Sequence, residues 1–164
     1  MVVLGIDPGI GRCGWGVITI NNSQLTVNEY GCVETRAGTK VEERLLKISS
    51  EIEKIIKEHK PDVMSIEELF FGANSKTALT VGQARGVILL KAAENGLPVS
   101  VYTPLQVKMA LTGYGRADKN QIAQMVKAIL KLEKIPKIDD TTDALAVALT
   151  HAFSAKMNKL NARS

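Results

Sequence analysis

Val2-Val3-Leu4-Gly5-Ile6-Asp7-Pro8-Gly9 opens the chain as a short apolar run that stops at an acid and a turn. β-branched residues in such a run favour a buried strand, and Pro8-Gly9 ends it. Gly14 to Ile20 resumes the pattern with Trp15, Val17, Ile18 and Ile20, and Asn21-Asn22 supplies the next turn. Leu25 to Glu34 then alternates loosely through Val27, Tyr30, Cys32 and Val33. Three strands joined by short links predict an antiparallel meander.

The period then changes. Val41, Leu45, Ile48, Ile52, Ile55 and Ile56 recur at helical spacing until Pro61. Val63 to Ile66 reads as a buried fourth strand that delivers Glu67 and Glu68 at its end. A helix from about Ser75 to Glu94 follows, closed by Gly96-Leu97-Pro98, and Val99 to Tyr102 is a fifth strand. Thr103-Pro104 opens a short helix with Thr as N-cap and Pro in the first turn. Gly113 and Gly115 flank Tyr114 in a loop, and Asp118 with Gln121 has the form of a capping box for a helix ending near Leu132. After a linker containing Pro136, a last helix runs from Asp140 through Ala155. Strands followed by β–α alternation make an α/β fold, a mixed five-stranded sheet flanked by helices. Residues 1–156 are expected to form one domain, with 157–164 a flexible basic tail.

Composition narrows the class. The 164 residues are 45% hydrophobic and 23% charged, ordinary for a globular domain. No apolar run approaches the ~20 residues of a membrane-spanning helix, and the first residues lack the basic stretch of a signal peptide. Cys13 and Cys32 make neither a disulfide framework nor a zinc spacing, which suits a reducing, cytoplasmic setting. Net charge is +4. Lys108, Arg116, Lys119, Lys127, Lys131, Lys134 and Lys137 concentrate it in one stretch, and Lys156, Lys159 and Arg163 add to it. Such local positive surface attracts phosphates.

Three groups of acids carry the chemistry. Asp7 follows a buried run, where a lone carboxylate is costly unless paired or bound to a metal; a cap on the Pro-Gly turn is the plainer reading. Glu67 and Glu68 repeat the pattern, and strand alternation allows only one of them to face a given site. Asp140 and Asp143 stand three apart at the head of the last helix and share a face, although acids there also serve as caps. The sequel Ala144-Leu145-Ala146-Val147-Ala148-Leu149 is so apolar that this helix head must lie beside the core. Parallel strands bring their C-terminal ends to one sheet edge, a frequent place for α/β active sites. Oxygen ligands without His or Cys suit Mg²⁺ or Mn²⁺. Two such ions about 3.5–4 Å apart can activate water and stabilise a leaving oxygen in phosphodiester hydrolysis.

Gly5-Ile6-Asp7-Pro8-Gly9, Ser65-Ile66-Glu67-Glu68, Gly82-Gln83-Ala84-Arg85-Gly86 and Asp140-Thr141-Thr142-Asp143-Ala144-Leu145-Ala146 stand in the order found in the RuvC family of bacterial Holliday-junction resolvases, which this chain resembles up to about His151. Gln106-Val107-Lys108 and Lys119 fall where that family has basic residues. The resemblance implies a ribonuclease-H-like fold, a homodimer, and paired symmetric cuts in four-way DNA junctions during recombination and repair. It assigns metal binding and catalysis to Asp7, Glu67, Asp140 and Asp143, with one or two Mg²⁺ per subunit. Glu68 is the weaker ligand candidate, and the Asp at 140, where some members have His, removes one candidate base.

The chain has one Trp, three Tyr and three Phe. The resemblance places Phe70 and Phe71 among those that stack on unpaired bases at the junction centre. It gives Lys108, Arg116 and Lys119 phosphate contacts, with Arg85 a weaker candidate, and it implies partnership with RuvA and RuvB. Gly82 and Gly86 permit close approach on one helix face, within the fold or between subunits. Two other readings use the same residues, namely a ribonuclease-H-like enzyme cutting RNA–DNA hybrids and a non-catalytic junction-binding module. An actin-like ATPase needs two such domains, for which 164 residues are too few.

Overall fold

The computed structural model describes residues 1–22, 24–68 and 75–161, with the side chains of 75–77 and 156–161 left out of the description. The meander predicted from the first 34 residues is present as β1 (Val2–Asp7), β2 (Arg12–Asn21) and β3 (Gln24–Glu34), paired antiparallel. β2 begins two residues earlier than its apolar pattern, because Arg12 and Cys13 still pair with Glu34 and Val33. β4 (Val63–Glu67) then runs parallel to β1, and β5 (Val99–Tyr102) parallel to β4, giving the sheet order β3-β2-β1-β4-β5.

Helices cover both faces, and strand alternation decides which residues meet them. Leu4, Ile6, Val17, Met64 and Ile66 point to the face covered by α1 (Val41–His59) and α2 (Ser75–Glu94). There they bury against Ile48, Ile52, Ala84 and Ile88. Val3, Ile18 and Val63 point the other way, towards α3 (Pro104–Thr112), α4 (Lys119–Leu130) and α5 (Asp139–Asn161). α1 reads as helix because its four buried isoleucines recur on one stripe while Glu and Lys occupy the rest.

Both capping devices read from the sequence form. The Thr103 hydroxyl accepts the Gln106 N–H at 3.1 Å and the Gln106 side chain accepts the Thr103 N–H at 2.8 Å. Asp118 and Gln121 do the same at 2.8 and 2.9 Å. α4 stops at Leu130, short of Leu132, because Lys131 turns into the left-handed region at φ 54°. α5 runs to Asn161, past the Ala155 end inferred from its apolar pattern, since neither Gly nor Pro interrupts residues 156–161. Among the described residues, no helix is long and apolar enough to cross a membrane.

α5 lies unusually close to the sheet, and three glycines permit it. A Cβ on Gly5 would stand 2.1 Å from the Ala144 carbonyl oxygen, and one on Gly16 would meet the Leu145 side chain at 2.5 Å. Gly14 lies under the Asp140 backbone. On β4 the fully buried Ser65 hydroxyl donates to the Val147 carbonyl at 2.7 Å, which satisfies the polar group and fixes α5 along the sheet.

A candidate active site at the ends of two parallel strands

Asp7 takes its place from alternation on β1. Val3 and Gly5 face α5, so Asp7 faces it too, directly across the ladder from Gly14. On β4 the same rule applies through Val63 and Ser65, which brings Glu67 to the α5 side one step beyond the Ile6–Ile66 pair. Glu68 is separated from it: its N–H bonds the Tyr102 carbonyl at 2.7 Å and its side chain is exposed. The head of α5 supplies Asp140 in its first turn and Asp143 just beyond it, with Asp139 exposed beside them.

The four acids feel one another. The Asp7 carboxyl is pushed up to about 7, chiefly by burial and then by the charges of Asp143, Glu67 and Asp140. Glu67 is raised by burial and by Asp143. Asp143 is also raised, because burial outweighs the opposing pull of Lys119. Lys119, at the first position of α4, holds its ammonium 3.2 Å from the Asp143 carboxylate. Arg12 sits 3.3 Å from the Asp140 carboxylate. Crowded carboxylates raise one another in this way when their charge lacks full compensation.

This donor set fits a hard divalent cation: all oxygens, converging from two strand ends and a helix head. A tighter trio exists elsewhere among the described residues, where ligand atoms of Glu29, Glu58 and His59 lie within 4.8 Å of one another. That group is on the other face of the sheet, since Glu29 pairs with Val17, which points to the face covered by α1, the helix that His59 closes. Two of its members already meet each other, with His59 Nε2 3.3 Å from Glu29.

The basic candidates divide. Lys108 and Lys119 both lower Glu67, so their charges reach the acids. Arg116 is exposed on the loop between α3 and α4. Arg85 is half-buried in α2, with its Nε buried and without a hydrogen-bond partner among the described residues. A Cβ on Gly86 would have nothing within 4 Å, so packing within the described fold does not require that glycine. Phe70 and Phe71 lie outside the described residues.

Sequence reading missed Arg12 and the close-packing glycines. Arg12 could have been noticed as the basic residue opening the strand that pairs with the Asp7 strand. It also missed a cleft of about 580 Å³ between Tyr30 and Cys32 of β3 and the Lys134–Ile138 linker, which adjoins the α5 head through Thr141.

Known proteins resemble this chain along nearly its whole length. Residues 3–151 match the family model described as crossover junction endodeoxyribonuclease RuvC. Proteins of that name are similar at 55% identity in Desulfitobacterium hafniense, covering 96% of this chain and 95% of the relative, and at 52% in Clostridioides difficile, covering 97% and 94%. The solved Thermus thermophilus RuvC in complex with Holliday junction substrate superimposes with a TM-score of 0.88 at 37% identity, covering 96% of each chain.

Proposed function

Because the chain belongs to the RuvC family of crossover junction endodeoxyribonucleases, we propose that it resolves four-way DNA junctions by paired, symmetric hydrolysis of phosphodiesters. The convergence of Asp7, Glu67, Asp140 and Asp143 on one sheet edge carries the reading. A half-buried Asp7 pushed up to about 7, with the charges of three further carboxylates acting on it, suits a site that binds divalent cations and takes a phosphate beside them.

In this reading Asp7, Glu67, Asp140 and Asp143 hold Mg²⁺, for which Mn²⁺ substitutes. Bound there, it would supply acidified water as nucleophile and charge stabilisation for the leaving oxygen. The protein contributes position. β1 and β4 fix Asp7 and Glu67 level with each other, and α5 sets its two acids against them. Lys108, Arg116 and Lys119 meet the phosphates of the strand, Phe70 and Phe71 the unpaired bases, and Lys119 releases Asp143 as it does so.

Two cuts on strands of like polarity call for two sites related by a two-fold axis, hence a homodimer. The exposed face of α2 supports it: Leu79, Gln83, Gly86 and Leu90 recur at helical spacing, with Leu79 66% and Leu90 55% exposed. Residues 1–156 act as the nuclease domain, with 157–164 as a basic appendage. The enzyme works in the cytoplasm with the RuvA and RuvB branch-migration proteins.

Incubation with a synthetic mobile four-way junction and Mg²⁺ tests the proposal. Wild type is expected to make symmetric nicks, while Asp7→Asn binds the junction without cutting it. Preferential cutting of an RNA–DNA hybrid, or cleavage unchanged in Asp7→Asn, would reject the reading.

A further inference from the structure

The loop from Gly113 to Arg116 presents a tyrosine that neither core nor catalytic site uses. Tyr114 is 55% exposed, and its hydroxyl has no hydrogen-bond partner among the described residues. Its backbone is nevertheless held firmly. The Thr112 hydroxyl accepts the Tyr114 N–H at 3.0 Å and donates to the Lys108 carbonyl at 2.8 Å. The Tyr114 carbonyl accepts the Ala117 N–H at 3.1 Å. Glycines flank it: Gly113 turns at φ 68°, a conformation glycine adopts freely, and a Cβ on Gly115 would meet the end of the exposed Leu105 side chain at 2.6 Å. An aromatic ring is therefore displayed in solvent on a hydrogen-bonded turn.

The surroundings identify what would meet it. The turn is bracketed by Lys108 and Lys119, whose charges reach Glu67, and it carries Arg116 itself. From Pro104 to Ala117 the chain has no acidic residue, and the next, Asp118, is occupied as the α4 cap. Leu105 and Met109 add exposed apolar surface on the same helix. Cations interleaved with an exposed aromatic ring, free of acids, match a nucleic-acid strand better than a protein surface.

We propose that Tyr114 is a further DNA-contacting residue, its ring packing on a base or sugar of the junction strand that Lys108, Arg116 and Lys119 hold beside the cut. The inference rests on the junction-resolving reading. Its role is to orient the strand laterally, which phosphate contacts alone do poorly because they tolerate sliding. Packing by a neutral ring adds affinity without releasing counterions, so it leaves a distinct signature.

Junction affinity, measured by fluorescence anisotropy across a salt series with Ca²⁺ in place of Mg²⁺, tests it. Tyr114→Ala is expected to bind about tenfold more weakly with the same salt slope as wild type. Tyr114→Phe and Tyr114→Trp should bind within about twofold of wild type, since packing rather than the hydroxyl is at issue. Arg116→Ala should lower the salt slope by about one. Wild-type affinity in Tyr114→Ala, weak binding by Tyr114→Phe, or a slope change equal to that of Arg116→Ala overturns the proposal. If Tyr114→Ala does not fold, Tyr114→Gln takes its place, and wild-type affinity in that variant overturns the proposal. A wild-type protein that binds no junction defeats the enclosing functional reading instead.

Discussion

A Cβ added to Gly14 would stand 1.9 Å from the carbonyl oxygen of Asp140. Gly14 is also the ladder partner of Asp7, so one bare backbone position on β2 sets the spacing between the sheet beside Asp7 and the head of α5. Gly14→Ala must push α5 outward, because its neighbour is backbone. Overpacking of this kind costs about 1–3 kcal/mol or more. The expected outcome is a lower midpoint in chemical denaturation together with loss of junction cleavage. A variant of wild-type stability and activity would show that α5 can yield freely there.

Asp7 gives metal-free stability a pH dependence of definite sign. Its carboxyl titrates near 3.8 in the unfolded chain and is pushed up to about 7 in the fold, mainly by burial. Between those values the native state binds the additional proton, so stability falls as pH rises from about 4 to about 7. Glu67 and Asp143 are raised by burial too and act in the same direction. Thermal melts in EDTA should show this fall, with a shallower slope in Asp7→Asn. Mg²⁺ should raise the melting temperature more at pH 8 than at pH 5.5, since it competes with those protons. An equal Mg²⁺ shift at both pH values would contradict the carboxylate site.

Lys119 is largely exposed, and its pair with Asp143 is expected to add under about 1 kcal/mol to stability. Lys119→Met should therefore melt close to wild type. Junction affinity should fall at low salt, with the salt slope reduced by about one. A large stability loss with an unchanged salt slope would make the residue structural.

The α2 face predicts a separable assembly defect. Leu90→Glu places a charge on an exposed position, so monomer stability should change by no more than about 0.5 kcal/mol. Sedimentation should shift from dimer to monomer, and junctions should be nicked without paired resolution. A dimeric Leu90→Glu protein would place the interface elsewhere.

Local chemistry wrote much of this molecule plainly. Val2 to Asp7, the isoleucine stripe of α1, and the Thr103 and Asp118 caps follow from backbone period and short-range hydrogen bonds, which need only neighbouring residues. The order of Asp7, Glu67, Asp140 and Asp143, each after or before an apolar run, was legible for the same reason. Alternation required that Glu67 and Glu68 part company, but left open which faced the site. Tertiary structure decided that, since the face covered by α5 depends on contacts such as Ser65 with Val147, 82 residues apart. It also decided that Arg12 would meet Asp140 and that Gly5, Gly14 and Gly16 would lie under one helix. Periodicity is a property of the chain's own geometry, whereas register between distant segments is set by packing, where a single absent Cβ determines how closely a helix and a sheet can meet.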